Sequence, residues 1–300
     1  MRRAVIDIGT NTVKLFVANV HDGNVVPVVS QDRTTRLGEG VNKSKRLSRA
    51  AVARTIQAID EFLAEARRLG VQDVSALTTS AARETENCDE FLDGVRGKCG
   101  LEVQVITGER EAELIFRGVS SDPEWLHQPI LVMDVGGGSA EFIQGQRGQI
   151  EQWQSLPLGA VRLTEQHGEN YSALVESLRQ ALRQSLKDYN VRDRKMIGTG
   201  GTITTLARIQ AVRRMPSQPE EATSETVDHA SLNLEWLHAL VDELRAVPLA
   251  ERRKVLGLPP ERADIIVAGG AVFLVAMETL GATELTASIR NLRYGALVAR

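Results

Sequence analysis

One short pattern occurs twice in this chain and limits the folds open to it. Asp7-Ile8-Gly9-Thr10-Asn11-Thr12 returns in the second half as Asp134-Val135-Gly136-Gly137-Gly138-Ser139. Each copy follows a short apolar strand (Ala4–Ile8, Ile130–Val135) and precedes another (Val13–Val20, Ala140–Gln144). A repeat this far apart indicates a duplicated domain, not a solenoid. With 300 residues the chain has room for two domains. The expected fold is therefore α/β, with two similar domains, 1–122 and 123–300, facing each other across a cleft. Asp122-Pro123 is the boundary signal.

Periodicity fills in the elements. Val25–Ser30 continues the first two strands through a hairpin at His21-Asp22-Gly23. Ser48 opens a helix that carries Val52, Ile56, Ile59 and Phe62 at helical spacing and closes at Gly70. Val74–Thr78 and Glu102–Ile106 read as strands, with helices over Asp89–Lys98 and Glu109–Val119. In the second half the expected strands are Ile150–Leu156, Lys195–Ile197 and Glu284–Ser288. The expected helices there are Tyr171–Asn190, one running to Gln210, Leu232–Ala246, Leu249–Val255, Arg262–Leu280 and a short last one. Residues 213–229 read as a polar loop.

A strand that ends in Asp and turns through Gly and Ser/Thr suits phosphate. Glycines let backbone N–H groups converge on an anion, and hydroxyls add donors. The Asp can hold a divalent cation, since magnesium favours one or two carboxylates plus phosphate oxygens. Gly198-Thr199-Gly200-Gly201-Thr202 is a third such loop, placed before an apolar helix whose N-terminus favours anions. None of the three is a Walker A sequence, a complete GxGxxG or a GxSxG elbow.

Net charge −3, from 36 Lys+Arg against 39 Asp+Glu, argues against binding a nucleic-acid polymer. The longest apolar run, Ile265–Met277, would span only ~20 Å as a helix, against the ~30 Å of a bilayer core, so no membrane partner is expected. Met1–Asp7 has no signal-peptide core, and Cys88 and Cys99 fit no metal pattern; the expected location is the cytoplasm.

Eight segments, in order, carry a resemblance. They are DIGTNTVKL from Asp7, RLGEGV from Arg36, TTSAAR from Thr78, ITGEREAELIFRGV from Ile106, DVGGGSAEF from Asp134, SLPLGAVRLTE from Ser155, GTGGTITTLA from Gly198 and ERADIIVAG from Glu261. This chain resembles the short, two-domain form of the exopolyphosphatase / guanosine pentaphosphate phosphatase family. The resemblance implies two ribonuclease-H-like domains of the actin, Hsp70 and acetate kinase type. It implies Glu111 as general base, Asp134 and Glu141 as metal-associated carboxylates, and Arg83 and Arg262 as phosphate-binding arginines. The phosphate loops are Thr10, Asn11 and Thr12; Gly136, Gly137, Gly138 and Ser139; and Gly200, Gly201 and Thr202. A homodimer is a further implication.

The resulting expectation is a magnesium-dependent exopolyphosphatase (or one using another divalent cation) that releases orthophosphate from inorganic polyphosphate. Guanosine pentaphosphate is the alternative substrate. A phosphoryl transferase or a non-catalytic nucleotide or alarmone sensor is the alternative of another class, since fold alone does not decide function. Asn291 stands where the family usually has Gly, which leaves Arg293 open as a site residue, and Lys14 is open too. Two basic groups are further candidates for substrate contact: Lys43, Lys45, Arg46 and Arg49, and the stripe Arg179, Arg183 and Lys187.

Overall fold

The computed structural model describes residues 1–298; residues 299 and 300, which close the expected second domain, lie outside them. The chain divides into two compact units. One is Met1–Ser121 together with the stretch from Leu292, and the other is Asp122–Asn291.

The first unit is built on five strands: β1 (Arg2–Ile8), β2 (Thr12–His21), β3 (Asn24–Thr34), β4 (Asp73–Thr78) and β5 (Val103–Val105). They lie in the order β3-β2-β1-β4-β5. β1 pairs antiparallel with β2 and parallel with β4. Alternation along β1 sends Ala4, Ile6 and Ile8 to one face, where their partners are Val17, Leu15 and Val13 of β2. Ile59, Phe62 and Leu63 of the Arg49–Arg68 helix and Phe91 and Val95 of the Cys88–Cys99 helix cover that face. The long helix starts at Ser48, whose hydroxyl accepts from the Ala51 N–H, a cap worth about 1 kcal/mol. Past its end, Gly70 takes a left-handed φ of 75°.

The other face carries Val5, Asp7, Lys14 and Phe16. The Leu292–Val298 helix packs on it and on the Gly108–Ser120 helix. Tyr294 stacks on Phe16 with ring centroids 4.6 Å apart. Arg293 is buried there, its Nη1 donating to Ser30 Oγ at 3.1 Å, with its guanidinium carbon 5.5 Å from the centre of the Phe16 ring. The two helices meet so closely that a Cβ at Gly295 would overlap the Leu114 carbonyl.

The second unit repeats the plan. Its strands are β6 (Pro129–Val135), β7 (Ala140–Gln146), β8 (Gln149–Leu156), β9 (Lys195–Thr199), β10 (Ser231–Asn233) and β11 (Glu284–Ala287). The order β8-β7-β6-β9-β11 matches the first sheet strand for strand and direction for direction, with β10 added at the edge. Its core joins Leu131, Met133 and Val135 to Leu174, Leu178 and Leu182 of the Tyr171–Ser185 helix, and to the apolar Ile266–Leu280 helix. No helix among the described residues is long and apolar enough to cross a membrane.

Some boundaries differ from expectation. Ala160–His167 is a helix that the Pro- and Gly-punctuated segment concealed. Leu232 lies in β10, and Asn233 caps the next helix by accepting from the Trp236 N–H. The long apolar helix starts at Ile266, because Pro259 and Pro260 set a tight turn over Pro260–Arg262 first. The expected loop 213–229 holds a turn at Pro219–Glu221 and a short helix at Ser224–Val227. The Tyr171 helix ends at Ser185, so Lys187 falls off the expected basic stripe.

Gly295→Ala should destabilise the protein by about 1–3 kcal/mol, because the new methyl has backbone in front of it and no side chain that can yield. Urea denaturation of the two proteins measures this. An unchanged midpoint would mean that the two helices part at no cost.

Candidate active site

Both repeats form the same hairpin. Gly9 N–H donates to the Thr12 carbonyl at 3.1 Å, and Gly136 N–H to the Ser139 carbonyl at 3.0 Å. Each loop is then held from behind. In the first unit the Gly38 N–H donates to Thr10 O at 2.8 Å, and Thr35 and Arg36 N–H groups donate to Asn11 O at 3.1 and 2.9 Å. In the second, Ala160 N–H donates to Gly136 O at 2.9 Å, and Val161 and Arg162 N–H groups donate to Gly137 O at 2.9 and 3.2 Å. The Arg162 side chain adds a bond from Nε to Gly138 O at 2.9 Å.

A trans peptide points its C=O and the following N–H in opposite directions. Tying the carbonyls of residues 10 and 11 therefore turns the Asn11 and Thr12 N–H groups to the other side. Tying those of residues 136–138 does the same for Gly137, Gly138 and Ser139. Successive N–H groups aimed one way make an anion-binding nest. Thr10, Asn11, Thr12 and Ser139 are all buried.

The two braces share a sequence. Leu37-Gly38 serves the first loop and Leu158-Gly159 the second, and both leucines are buried. A Cβ at Gly38 would overlap Thr10, and one at Gly159 would overlap the Gly137 carbonyl. Both dipeptides lie within segments that carry the family resemblance, RLGEGV and SLPLGAVRLTE. The Leu-Gly dipeptide after each hairpin was the signal available.

The Gly200–Arg214 helix supplies the third loop. Gly200 has φ 86°, which disfavours any other residue. The Asp134 carboxylate rests against its Cα, and the Arg262 guanidinium lies against Gly201. The helix has no side-chain cap, because the Thr199 hydroxyl turns to the Ser288 and Arg290 carbonyls at 3.1 and 2.7 Å. Thr202 is buried and its hydroxyl donates to Val135 O at 2.9 Å, so its proton is committed within the fold. Asp134, Gly200, Gly201, Thr202 and Arg262 are thus gathered in the second unit.

Sheet register sets the carboxylates. Asp134 faces Glu141 across β6 and β7, Glu141 faces Ser155 across β7 and β8, and Asp134 faces Thr199 across β6 and β9. The four residues form one transverse row. Glu141 is 2% exposed, and Ser155 Oγ donates to its Oε1 at 2.7 Å. The matching row of the first unit is Asp7, Lys14 and Asp32. Lys14 therefore holds the place of Glu141. Burial pushes the Asp7 carboxyl above its ordinary range, while the charges of Lys14 and Arg293 pull it back.

Glu111 sits in the first turn of the Gly108–Ser120 helix, which Thr107 caps by accepting from Arg110 N–H at 3.1 Å. It is 7% exposed. Arg83, at the end of the Ser80–Arg83 turn, donates from Nη1 to Glu111 Oε2 at 3.2 Å and to Ile106 O at 2.8 Å. The structure therefore joins the expected base to one expected phosphate arginine. One member of each basic group is paired at the surface: Arg46 lies 3.6 and 3.2 Å from Glu86 and Glu90, and Arg179 lies 3.4 Å from Glu278.

A profile of the Ppx/GppA phosphatase family matches residues 16–300. Exopolyphosphatase 1 of Mycobacterium tuberculosis is 32% identical over 290 residues, covering 93% of this chain and 82% of its own. The crystal structure of the Aquifex aeolicus Ppx/GppA family member superposes with a TM-score of 0.80 at 31% identity, covering 100% of this chain and 97% of that one. A crystal structure of an exopolyphosphatase from Cytophaga hutchinsonii gives 0.88 at 28% identity, covering 99% and 96%.

The second unit holds one more charged cluster. Asp122, Asp228 and His229 bring one ligand-type atom each within 4.8 Å of one another, close enough for a metal ion. Here they satisfy each other. His229 Nε2 is 3.0 Å from Asp122 Oδ2, its Nδ1 is 2.8 Å from Glu124 Oε2, and Arg290 Nε is 3.2 Å from Asp122 Oδ2. Burial alone lowers the His229 pKa, but the Asp122 hydrogen bond and the charges of Asp228, Asp122 and Glu124 outweigh it, and the net shift is upward. A raised histidine stabilises the fold below its unfolded value of about 6.5, and that contribution fades as pH climbs through the folded value. As pH climbs above about 6.5, melting temperature should thus fall more steeply in the wild type than in His229→Gln. Parallel melting curves would sink this reading.

Proposed function

Because the chain belongs to the Ppx/GppA phosphatase family, we propose that it hydrolyses the terminal phosphoanhydride of inorganic polyphosphate, releasing orthophosphate and a chain one unit shorter. The observation that carries this reading is a braced nest in each unit, with the second unit adding the uncapped Gly200 helix start and Arg262 beside it. Nests of backbone N–H groups suit phosphate groups of any attachment. A linear polymer of phosphate offers nothing else to grip.

In this reading Glu111 takes the proton of the attacking water. The water oxygen bonds to the terminal phosphorus as the bridging P–O bond breaks, and the shortened chain leaves on its oxygen. Transition states of this kind are loose, and catalysis rests on positioning and charge neutralisation. Arg83 orients Glu111 through its Nη1 and has further guanidinium donors for phosphate oxygens. Arg262 serves the Gly200 loop in the same way.

Asp134 and Glu141 suit a hard divalent cation such as magnesium. They are carboxylates on one row, and the only other side-chain oxygens on that row are the hydroxyls of Thr199 and Ser155. When bound, the ion supplies charge neutralisation to phosphate oxygens. Glu141 is buried directly opposite Asp134, so a cation at that place would be shared by the two carboxylates.

The test is orthophosphate release by the purified protein with magnesium, from short and long polyphosphate, guanosine pentaphosphate and ATP in parallel. Polyphosphate should be hydrolysed, and Glu111→Gln should lower turnover by about 10²–10⁴-fold, the usual worth of a general base. Release from guanosine pentaphosphate alone would keep the chemistry and change the substrate. Full turnover by the Glu111 variant would remove the assigned base.

A further inference from the structure

The transverse row in the second unit contains a residue with no role in the scheme above. Ser155 is the register partner of Glu141 and donates to its Oε1 at 2.7 Å. We propose that Ser155 is a positioning residue: its hydroxyl fixes the Glu141 carboxylate so that the row of Asp134 and Glu141 binds a divalent cation. The inference rests on the reading of Glu141 as a metal carboxylate.

Three observations support it. Glu141 is 2% exposed, so bulk water is poorly placed to take over the role of the hydroxyl on Oε1. A buried carboxylate must have its oxygens satisfied, and each partner also sets its rotation. The donor is neutral. A lysine or arginine at 155 would hold the carboxylate equally well but would cancel the charge that a cation needs. In the first unit the row does carry a cation, at the place of Glu141: Lys14 is flanked by Asp7 and Asp32, so its ammonium offsets one of the two carboxylates. The duplicated rows differ at the middle and outer positions. Only the second keeps net negative charge there, with a hydroxyl as its outer member.

Partners one step removed from a metal typically alter its affinity by about 10–100-fold. Ser155→Ala should weaken Mn²⁺ binding by about tenfold, read by electron paramagnetic resonance on the purified full-length chain. It should raise the magnesium needed for half-maximal orthophosphate release by a similar factor, with turnover largely recovered at saturating metal. Ser155→Thr retains the hydroxyl and should restore both. Ser155→Cys, a weaker donor, should fall between. Melting curves on all variants separate loss of fold from loss of affinity.

Glu141→Gln is the reference. If it weakens Mn²⁺ binding while Ser155→Ala stays within about twofold of wild type, the role given to Ser155 is overturned and the reading of Glu141 stands. If Glu141→Gln leaves Mn²⁺ affinity intact, both fall. Equal loss in the Ala and Thr variants would make the position a matter of packing and would also overturn the proposal.

Discussion

A single hydrogen bond, made twice, underlies the arrangement: the glycine N–H after each strand-ending Asp closes onto a carbonyl three residues on. It folds the strand back at once, so that the next strand pairs in register. Register in turn places Asp134 opposite Glu141 and Asp7 opposite Lys14. It leaves the loop carbonyls exposed on one side, where a Leu-Gly segment ties them down. The nests therefore follow from backbone geometry, and the side chains only decorate them. Side chains in both loops can change without loss of the amide pattern, which is why Thr-Asn-Thr and Gly-Gly-Ser can adopt one shape.

The two copies have since diverged in electrostatics more than in fold. One row sets a lysine between two acids. The other sets two acids beside a hydroxyl. Buried charge without compensation costs more than a fold of this size can carry. The first row sets a lysine between its acids, while the second holds no basic residue among its four members. One backbone plan with two of the row's side chains exchanged thus gives the two units rows of different charge.

Much of the fold was legible because its signals are local. The Asp-Gly turns, Ser48 as a cap, Gly70 as a stop and the period-two strands all announce themselves within a few residues. That the two units repeat one plan followed from the duplicated motif and the resemblance, while the strand order β3-β2-β1-β4-β5 is set by pairing between distant segments. What escaped was non-local. The pairing of Ser155 with Glu141 depends on strand register, and the contact of Asp134 with Gly200 on two distant turns meeting. The Ala160–His167 helix was hidden because its start is spent on loop carbonyls, so its sequence reads as a turn. The role of Arg293 was likewise invisible, since its partners Ser30 and Phe16 lie at the far end of the chain.

The helix Leu292–Val298 belongs to the unit made from the first residues, although nearly all of the other unit is synthesised between them. During synthesis the Phe16 and Gly108–Ser120 surface of the first unit therefore stays uncovered until residues 292–298 have been made. The second unit, contiguous in sequence, suffers no such delay and can close while the tail is still emerging. A chain interrupted before residue 292 would leave the face that carries Val5 and Phe16 uncovered, although every strand of its sheet would be present.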